Sequence, residues 1–259
     1  MLSMDIYTKM AKRPVFTIDD VNKCYNNIGS ARSAVKRLMT YGKALKIRSN
    51  LYTCVSAERE GPIANRFQIA SAITETSYVS HHTAMEYYGI TDQIFYDVYV
   101  SSETRFQDFE FDGYTYHFVR SRLEEGVDSP KLSGGVRVTD KERTLADCLK
   151  DMDKISGLEE VAANVESMRR LNEDKLLRYL SRYNNQFLYQ KAGLLLWANR
   201  NVLGLSDSFF DICRSHIGKS KRYLTRDKAD GIYDDHWKLI VPLNFMNMKN
   251  EAMTPDAVI

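Results

Sequence analysis

The chain has few cysteines and no long apolar segment, and both features limit the classes of protein to which it can belong. Cys24, Cys54, Cys148 and Cys213 are far apart among 259 residues, without a Cys-x-x-Cys pair or a histidine at zinc-site spacing. Reduced thiols in a cytoplasmic protein are the simplest interpretation. No apolar run approaches the roughly 20 residues that a membrane helix requires, and the N-terminus lacks a signal-peptide layout. We therefore expect a cytoplasmic protein without a membrane partner.

Catalytic signatures are also missing. The sequence contains no P-loop, nucleophile elbow, Ser-x-x-Lys or zinc-protease pattern. A nucleotidyltransferase needs paired aspartates on a strand that converge on two metal ions. Asp151 and Asp153 follow a predicted helix, and Asp234 and Asp235 are adjacent in a predicted loop, so neither pair fits. We predict no catalytic residue, no metal ligand, no cofactor and no enzyme activity.

Two polar groups have simpler structural explanations. His81 and His82 are adjacent on a predicted helix and point in different directions, so they cannot easily hold one ion. We expect His82 or Thr83 to cap a helix or to pack beneath a sheet. Arg143 and Asp147 are separated by one helical turn, which is typical of an ion pair within a helix.

Charge is distributed unevenly along the chain. Residues 1–55 contain ten Lys and Arg against three acids, a net charge of +7, whereas the whole chain carries +2 and the remainder therefore −5. Basic side chains that neutralise phosphates release condensed counterions, so a basic module favours a polyanionic partner. A solvated basic face is the alternative, and the order of the predicted elements favours DNA.

The basic segment is predicted to fold as helix, helix, helix, hairpin. Thr17 and Asp20 have the spacing of a capping box at the start of one helix, and Phe16 and Val21 have that of a hydrophobic staple. A turn over residues 26–29 leads from this helix to the next.

The next helix is predicted from Ser30, as its N-cap, to about Tyr41, with Gly42 just after its end. Its apolar side is formed by Ala31, Ala34, Val35 and Leu38. The opposite side carries the candidate DNA contacts, which are Arg32, Ser33, Lys36, Arg37 and Thr40. Such a helix suits a major groove, because Arg reads guanine with two hydrogen bonds and hydroxyls contact bases or phosphates.

A hairpin is predicted directly after this helix. Its apolar strand positions are Leu45, Ile47, Leu51 and Tyr52. A hairpin directly after a recognition helix is typical of the wing of a winged helix-turn-helix. We assign this domain to residues 1–57. The wing adds three candidate DNA contacts, Lys46, Arg48 and Asn50. A small helical packing domain is the alternative, and winged helices also serve as protein-interaction modules.

Residues 62–243 are predicted to form a larger α+β domain after a polar linker. Its strand candidates are residues 94–100, 106–111 and 114–119. Its helix candidates are residues 62–73, the stretch between Ser80 and Gly89, and residues 158–169, 172–183, 186–200 and 206–216. The fold class is thus α+β, with a small sheet, a helical C-terminal half and a flexible tail at residues 244–259.

A second basic cluster lies near the end of the larger domain. Its cations are Arg214, Lys219, Lys221, Arg222, Arg226 and Lys228, with His216 and Tyr223 among them. A solvated loop is one explanation. The alternative is a second nucleic-acid surface for a DNA backbone or for RNA, because phosphate binding needs only positive charge and backbone donors.

Two segments of the larger domain, YVSHHTAMEYYGIT at Tyr78–Thr91 and VTDKERTLADC at Val138–Cys148, resemble the AbiEi antitoxin family. With the basic N-terminal block, the resemblance extends over roughly residues 10–220. Members of this family are regulators linked to viral defence. They pair a DNA-binding N-terminal domain with a larger domain that is implicated in neutralising a toxin.

The resemblance implies an autorepressor and the antitoxin of a type IV abortive-infection pair. Its partners would be double-stranded DNA at the operator of its own operon, with inverted repeats as one layout, and a nucleotidyltransferase-like toxin. Toxin and antitoxin need not touch. An enzyme of nucleotide or RNA metabolism and a winged-helix adaptor for protein partners remain the alternatives.

Overall fold

The structure, a computed structural model, describes residues 3–58, 60–91, 93–228 and 230–245. Its fold class is α+β, as predicted. Contacts divide the chain into two compact units, the first comprising residues 1–87 and 93–140 and the second the rest. The boundary predicted between residues 57 and 62 therefore falls inside the first unit. Most of the predicted tail, from residue 246 onward, lies outside the described residues.

The first unit begins with three helices and a hairpin. These elements are α1 (Ser3–Met10), α2 (Ile18–Tyr25), α3 (Ile28–Thr40), β1 (Ala44–Arg48) and β2 (Leu51–Cys54). Phe16 and Tyr52 exchange both backbone hydrogen bonds, with N···O distances of 2.8 and 2.9 Å, and their rings stack. The segment before α2 is thereby tied to the hairpin, and the helices and hairpin close around one core.

Helix α2 starts where the sequence predicts, whereas α3 starts earlier than predicted. Thr17 and Asp20 form the predicted capping box, and the staple residues Phe16 and Val21 are both buried. The predicted N-cap Ser30 is wrong, because Asn27 caps α3 with its side-chain oxygen 2.9 Å from the Ser30 amide nitrogen. Asn26 ends α2 in the left-handed conformation, so α3 begins almost at once.

The alternation of the hairpin is broken by a bulge. The register with β2 shifts between Lys46 and Arg48. Ala44 and Ile47 are both buried although they are three residues apart, and Leu45 between them is exposed. A bulge adds one residue to a strand and so changes which side chains face the core.

The rest of the first unit is built on a six-stranded sheet. Its elements are α4 (Arg66–Ala72), β3 (Tyr78–Val79), α5 (His81–Tyr87), β4 (Asp97–Ser102), β5 (Phe109–Phe111), β6 (Tyr114–Arg120), β7 (Val127–Asp128) and β8 (Val138–Thr139). The strand order is β5-β6-β4-β3-β8-β7. The pairs β4–β6 and β3–β8 are parallel, so the sheet is mixed.

Three predicted starts in this region are corrected, and one of them is that of the strand expected from residue 106, which begins at Phe109. The helix expected from Pro62 begins at Arg66, because Asn65 caps it and forms a capping box with Gln68. The strand expected from Ile94 begins at Asp97, where pairing with β6 begins.

The second unit is mainly helical but ends in a sheet that the sequence did not predict. Its helices are α6 (Lys141–Asp151), α7 (Gly157–Ser167), α8 (Glu173–Tyr183), α9 (Gln186–Trp197), α10 (Arg200–Leu203) and α11 (Asp207–Ser215). Its strands are β9 (Arg222–Tyr223), β10 (Gly231–Asp234) and β11 (Leu239–Pro242), in the order β10-β11-β9. The helical C-terminal half is thus corrected to helices followed by a small sheet, and Asp234 ends a strand.

The ion pair predicted on α6 is present and fully enclosed. Arg143 Nε lies 3.0 and 3.1 Å from the two carboxylate oxygens of Asp147, and both side chains are buried. The Tyr183 hydroxyl also donates to Asp147. Since a buried charge is costly without a partner, Arg143 neutralises Asp147 within α6. The hydrogen bond from Tyr183 ties α6 to α8.

The C-terminal sheet contacts the helices through Trp237. This residue lies in the turn that connects β10 to β11, and its side chain is buried. The Trp237 carbonyl accepts a hydrogen bond from Gln190 Nε2 on α9 at 3.0 Å. Gly193, one turn along α9, lies against the indole ring, and a Cβ at this position would collide with it. The close approach of α9 to Trp237 therefore requires glycine.

Gly193→Ala is expected to lower the free energy of unfolding by about 1–3 kcal/mol, because the added methyl group overpacks the core. Urea unfolding followed by circular dichroism measures the loss. Trp237→Leu should make room for the methyl group, so the double variant should lose less than the sum of the two single losses. Additive losses would show that the two side chains do not compete for space.

Candidate nucleic-acid interface

Helix α3 separates its apolar and basic residues cleanly. The four predicted core residues Ala31, Ala34, Val35 and Leu38 are all buried. The predicted contact residues Arg32, Ser33, Lys36, Arg37 and Thr40 are all exposed. The structure therefore brings these five side chains together on one side of α3, which we call the α3 basic face.

Two of the three acids of the N-terminal module, Asp5 and Asp20, are engaged by cations outside the α3 basic face. Asp20 lies 2.7 Å from Arg13 and 3.3 Å from Lys23. Burial raises the pKa of Asp20, but hydrogen bonds from Thr17 and the charge of Arg13 outweigh this and lower it overall. Among the described residues, the cations of the α3 basic face form no ion pair, nor does Lys46. Their charge is left for a partner.

A shallow depression of about 280 Å³ runs along the C-terminal part of the α3 basic face. Its lining comprises Ser33, Lys36, Arg37, Thr40 and Tyr41. Tyr41 is 68% exposed. It was not among the predicted contacts, although an aromatic residue beside cations at the end of a helix could have indicated a contact with DNA. The Thr40 hydroxyl donates to the Lys36 carbonyl at 3.0 Å, which leaves its oxygen free to accept.

Arg48 lies against two aromatic rings instead of an open wing tip. Its guanidinium carbon is 5.4 Å from the ring centroids of both Phe106 and Phe109. The side chain is half-buried, and burial lowers its pKa. These contacts favour a packing role for Arg48 over the DNA contact predicted from the sequence.

Asn50 also has a structural role. It occupies the hairpin turn with φ of 54°, a left-handed conformation that Asn tolerates better than most residues. Its side-chain oxygen accepts a hydrogen bond from the Ile18 amide nitrogen at 2.9 Å. The tip of the hairpin thereby holds the first turn of α2. Among the three predicted wing contacts, Lys46 is the one that is exposed and has no such structural role in the described residues.

The second basic surface is exposed except at Arg214, which is half-buried, and it is in part stacked on aromatic rings. Arg214 lies over Trp237 and Arg222 over Phe187, at 5.7 and 5.5 Å from the ring centroids. Arg214 also pairs with Asp211. Lys219, Lys221 and Arg226 are exposed. All of these predicted residues lie in the second unit, within or beside the unexpected sheet.

His82 and Thr83, for which we expected structural roles, occupy packed positions. The His82 ring stacks on Phe95 with centroids 4.3 Å apart, and its Nε2 lies 3.1 Å from the Asp97 carbonyl. The Thr83 hydroxyl accepts a hydrogen bond from the Tyr99 amide nitrogen at 2.9 Å. Within the part of the chain that the structure describes, no cluster of His, Cys, Asp or Glu could hold a metal ion.

Comparison with known proteins identifies the fold. No family model and no curated protein matches the chain. Among solved structures, it is similar to the crystal structure of the RV2827C protein from Mycobacterium tuberculosis, with a TM-score of 0.65 and 12% sequence identity. The similarity covers 96% of this chain and 94% of that chain. At this identity it shows a shared fold.

Over the described ranges, no helix combines the length and the apolar character needed to cross a bilayer.

Asn50→Gly is expected to lower the free energy of unfolding by about 0.5–1.5 kcal/mol, because the Ile18 amide loses its partner while glycine keeps the turn conformation. Thermal and urea unfolding measure this loss, and Ser49→Ala in the same exposed turn is the matched control with no expected effect. Unchanged stability of Asn50→Gly together with weaker DNA binding would instead assign Asn50 to the DNA surface.

Proposed function

We propose that the chain is a DNA-binding transcriptional regulator whose α3 basic face enters the major groove of an operator. The observation that carries this proposal is the set of exposed cations on α3, which no acid among the described residues neutralises. The surrounding module has a net charge of +7. Electrostatic attraction to phosphate would dominate its affinity for DNA.

The arrangement of the module supports a winged helix-turn-helix function. Helices α2 and α3 are joined by only Asn26 and Asn27, and the hairpin follows α3 directly. A major groove about 12 Å wide admits one α-helix. In this arrangement Arg32 and Arg37 would read base edges, and Lys36 would hold a phosphate. Lys46 on the hairpin and Tyr41 at the end of α3 would extend the contact to the backbone.

The biological role that we propose is autorepression together with antitoxin activity in a type IV abortive-infection pair. It rests on the resemblance of Tyr78–Thr91 and Val138–Cys148 to the AbiEi family. The strands that begin these segments are neighbours, since β3 pairs with β8 at Val79 and Val138. The functional partner would be a nucleotidyltransferase-like toxin, with no direct contact required. The proposal includes no catalytic step, cofactor or metal.

Replacing Arg32, Lys36 and Arg37 together with Ala should abolish specific operator binding. Each base-reading Arg is expected to contribute about 1–3 kcal/mol, and loss of a phosphate contact from Lys36 should reduce the salt slope by about one. Titration of labelled promoter DNA at several salt concentrations measures both effects.

The matched control replaces Lys9, Lys12 and Lys23 with Ala. It removes the same charge from the same module, outside the α3 basic face. Binding by the control variant should therefore stay much closer to wild type. Equal losses in the two triple variants would show that net charge, and not the α3 basic face, determines DNA binding.

The two proposed activities should be separable in the full-length chain. The Arg32, Lys36 and Arg37 variant is expected to lose promoter repression while it still protects cells from the cognate toxin. Substitution of Lys219, Lys221 and Arg222 with Glu should impair protection more than repression, because these residues lie in the second unit. A promoter reporter and co-expression with the toxin measure the two activities. If the α3 variant is folded but no longer protects, DNA binding itself is the antitoxic mechanism.

A further inference from the structure

The C-terminal sheet places two tyrosines in one row across its three strands. Tyr233 on β10 pairs with Ile240 on β11, and Ile240 pairs in turn with Tyr223 on β9. Directly paired residues project from the same face of a sheet. Tyr223, Ile240 and Tyr233 therefore form a continuous row, which we call the tyrosine row.

The tyrosine row lies on the outer face of this sheet. Leu239 and Val241, the neighbours of Ile240 on β11, alternate to the other face and are buried. Leu224 follows Tyr223 and is buried as well. By contrast, Tyr223 is 40% exposed, and Ile240 and Tyr233 are half-buried. On the inner face Leu239 and Val241 pack in the core, while Ile232 at the β10 edge is exposed. On the outer face the ring of Tyr223 is available to a ligand.

Positive charge is concentrated in the segment that carries the tyrosine row. The Lys221 ammonium lies over the Tyr233 ring, 4.4 Å from its centroid. Residues 214–242 carry seven Lys and Arg against four Asp, a net charge of +3, although everything after residue 55 sums to −5. Two of these cations are paired with acids, since Lys238 lies 2.7 Å from Asp235 and Arg214 pairs with Asp211. Lys219, Arg222 and Arg226 are exposed and close to Tyr223 in sequence, and Arg222 projects to the opposite face, where it lies over Phe187.

We propose that the tyrosine row and its flanking cations bind single-stranded nucleic acid. The exposed ring of Tyr223 is suited to stack with an unpaired base, and the half-buried Tyr233 ring extends this surface under Lys221. Nearby cations follow the phosphate backbone. Duplex DNA hides the faces of its bases, so it offers these rings nothing on which to stack. The tyrosine row thus differs from the α3 basic face in two ways. It lies in the second unit, and it binds single-stranded instead of double-stranded nucleic acid.

The test uses the full-length chain with Arg32, Lys36 and Arg37 replaced by Ala, which removes the α3 basic face from the measurement. Fluorescence anisotropy follows binding of labelled oligouridine and oligothymidine of about 10 nucleotides, within the site sizes of single-strand-binding folds. A duplex of equal length is the third probe. Both single strands should bind more tightly than the duplex, and the difference between RNA and DNA identifies the preferred sugar.

Tyr223→Leu in this background should weaken single-strand binding by roughly 5- to 150-fold, since it keeps an apolar side chain but removes one stacking ring. Tyr223→Phe should bind like the parent. Lys221→Gln should reduce the salt slope by about 0.7, the value for one phosphate of a single strand. Tyr96→Leu is the control, because it removes a 70% exposed tyrosine from the first unit.

Failure of the parent variant to bind either single strand would overturn the proposal. So would equal affinity of the Tyr223→Leu and Tyr223→Phe variants, or an equal loss in Tyr96→Leu. None of these outcomes bears on operator binding by the wild-type chain, which is measured separately with duplex promoter DNA. Circular dichroism of each variant confirms that the fold is retained.

Discussion

The burial of one side of α3 is the constraint on which the N-terminal module depends. Ala31, Ala34, Val35 and Leu38 pack in the core with Phe16 and Tyr52, so helical geometry turns the intervening cations toward solvent. The mutual hydrogen bonds of Phe16 and Tyr52 fix the hairpin to the same core. Because Arg13 and Lys23 engage Asp20, the charge on α3 stays available to a polyanion.

The features that depend on local periodicity could be predicted from the sequence. The two sides of α3 follow from residues three and four apart, and the capping box at Thr17 and Asp20 follows from their spacing. The ion pair of Arg143 and Asp147 is local for the same reason. The N-cap of α3 was misplaced because Asn27 and Ser30 are both good caps, and the left-handed Asn26 decides between them.

The features that the sequence did not reveal depend on distant partners. Arg48 packs on Phe106 and Phe109, about 60 positions away, and Asn50 bonds to the backbone of Ile18. Strands β9, β10 and β11 are only two to four residues long, too short for clear alternation. Their pairing is what aligns Tyr223 with Tyr233, so the proposed single-strand surface was visible in the sequence only as a cluster of charge.

Affinity cleavage tests the placement of α3 on DNA most directly. An iron chelate attached to a cysteine introduced at Ser33, on the α3 basic face, cuts only the nucleotides that it approaches. If α3 lies in the major groove, cleavage should be confined to a short stretch within the bound promoter site. Binding without such localised cleavage would contradict the placement of α3 and move the DNA surface to another part of the chain.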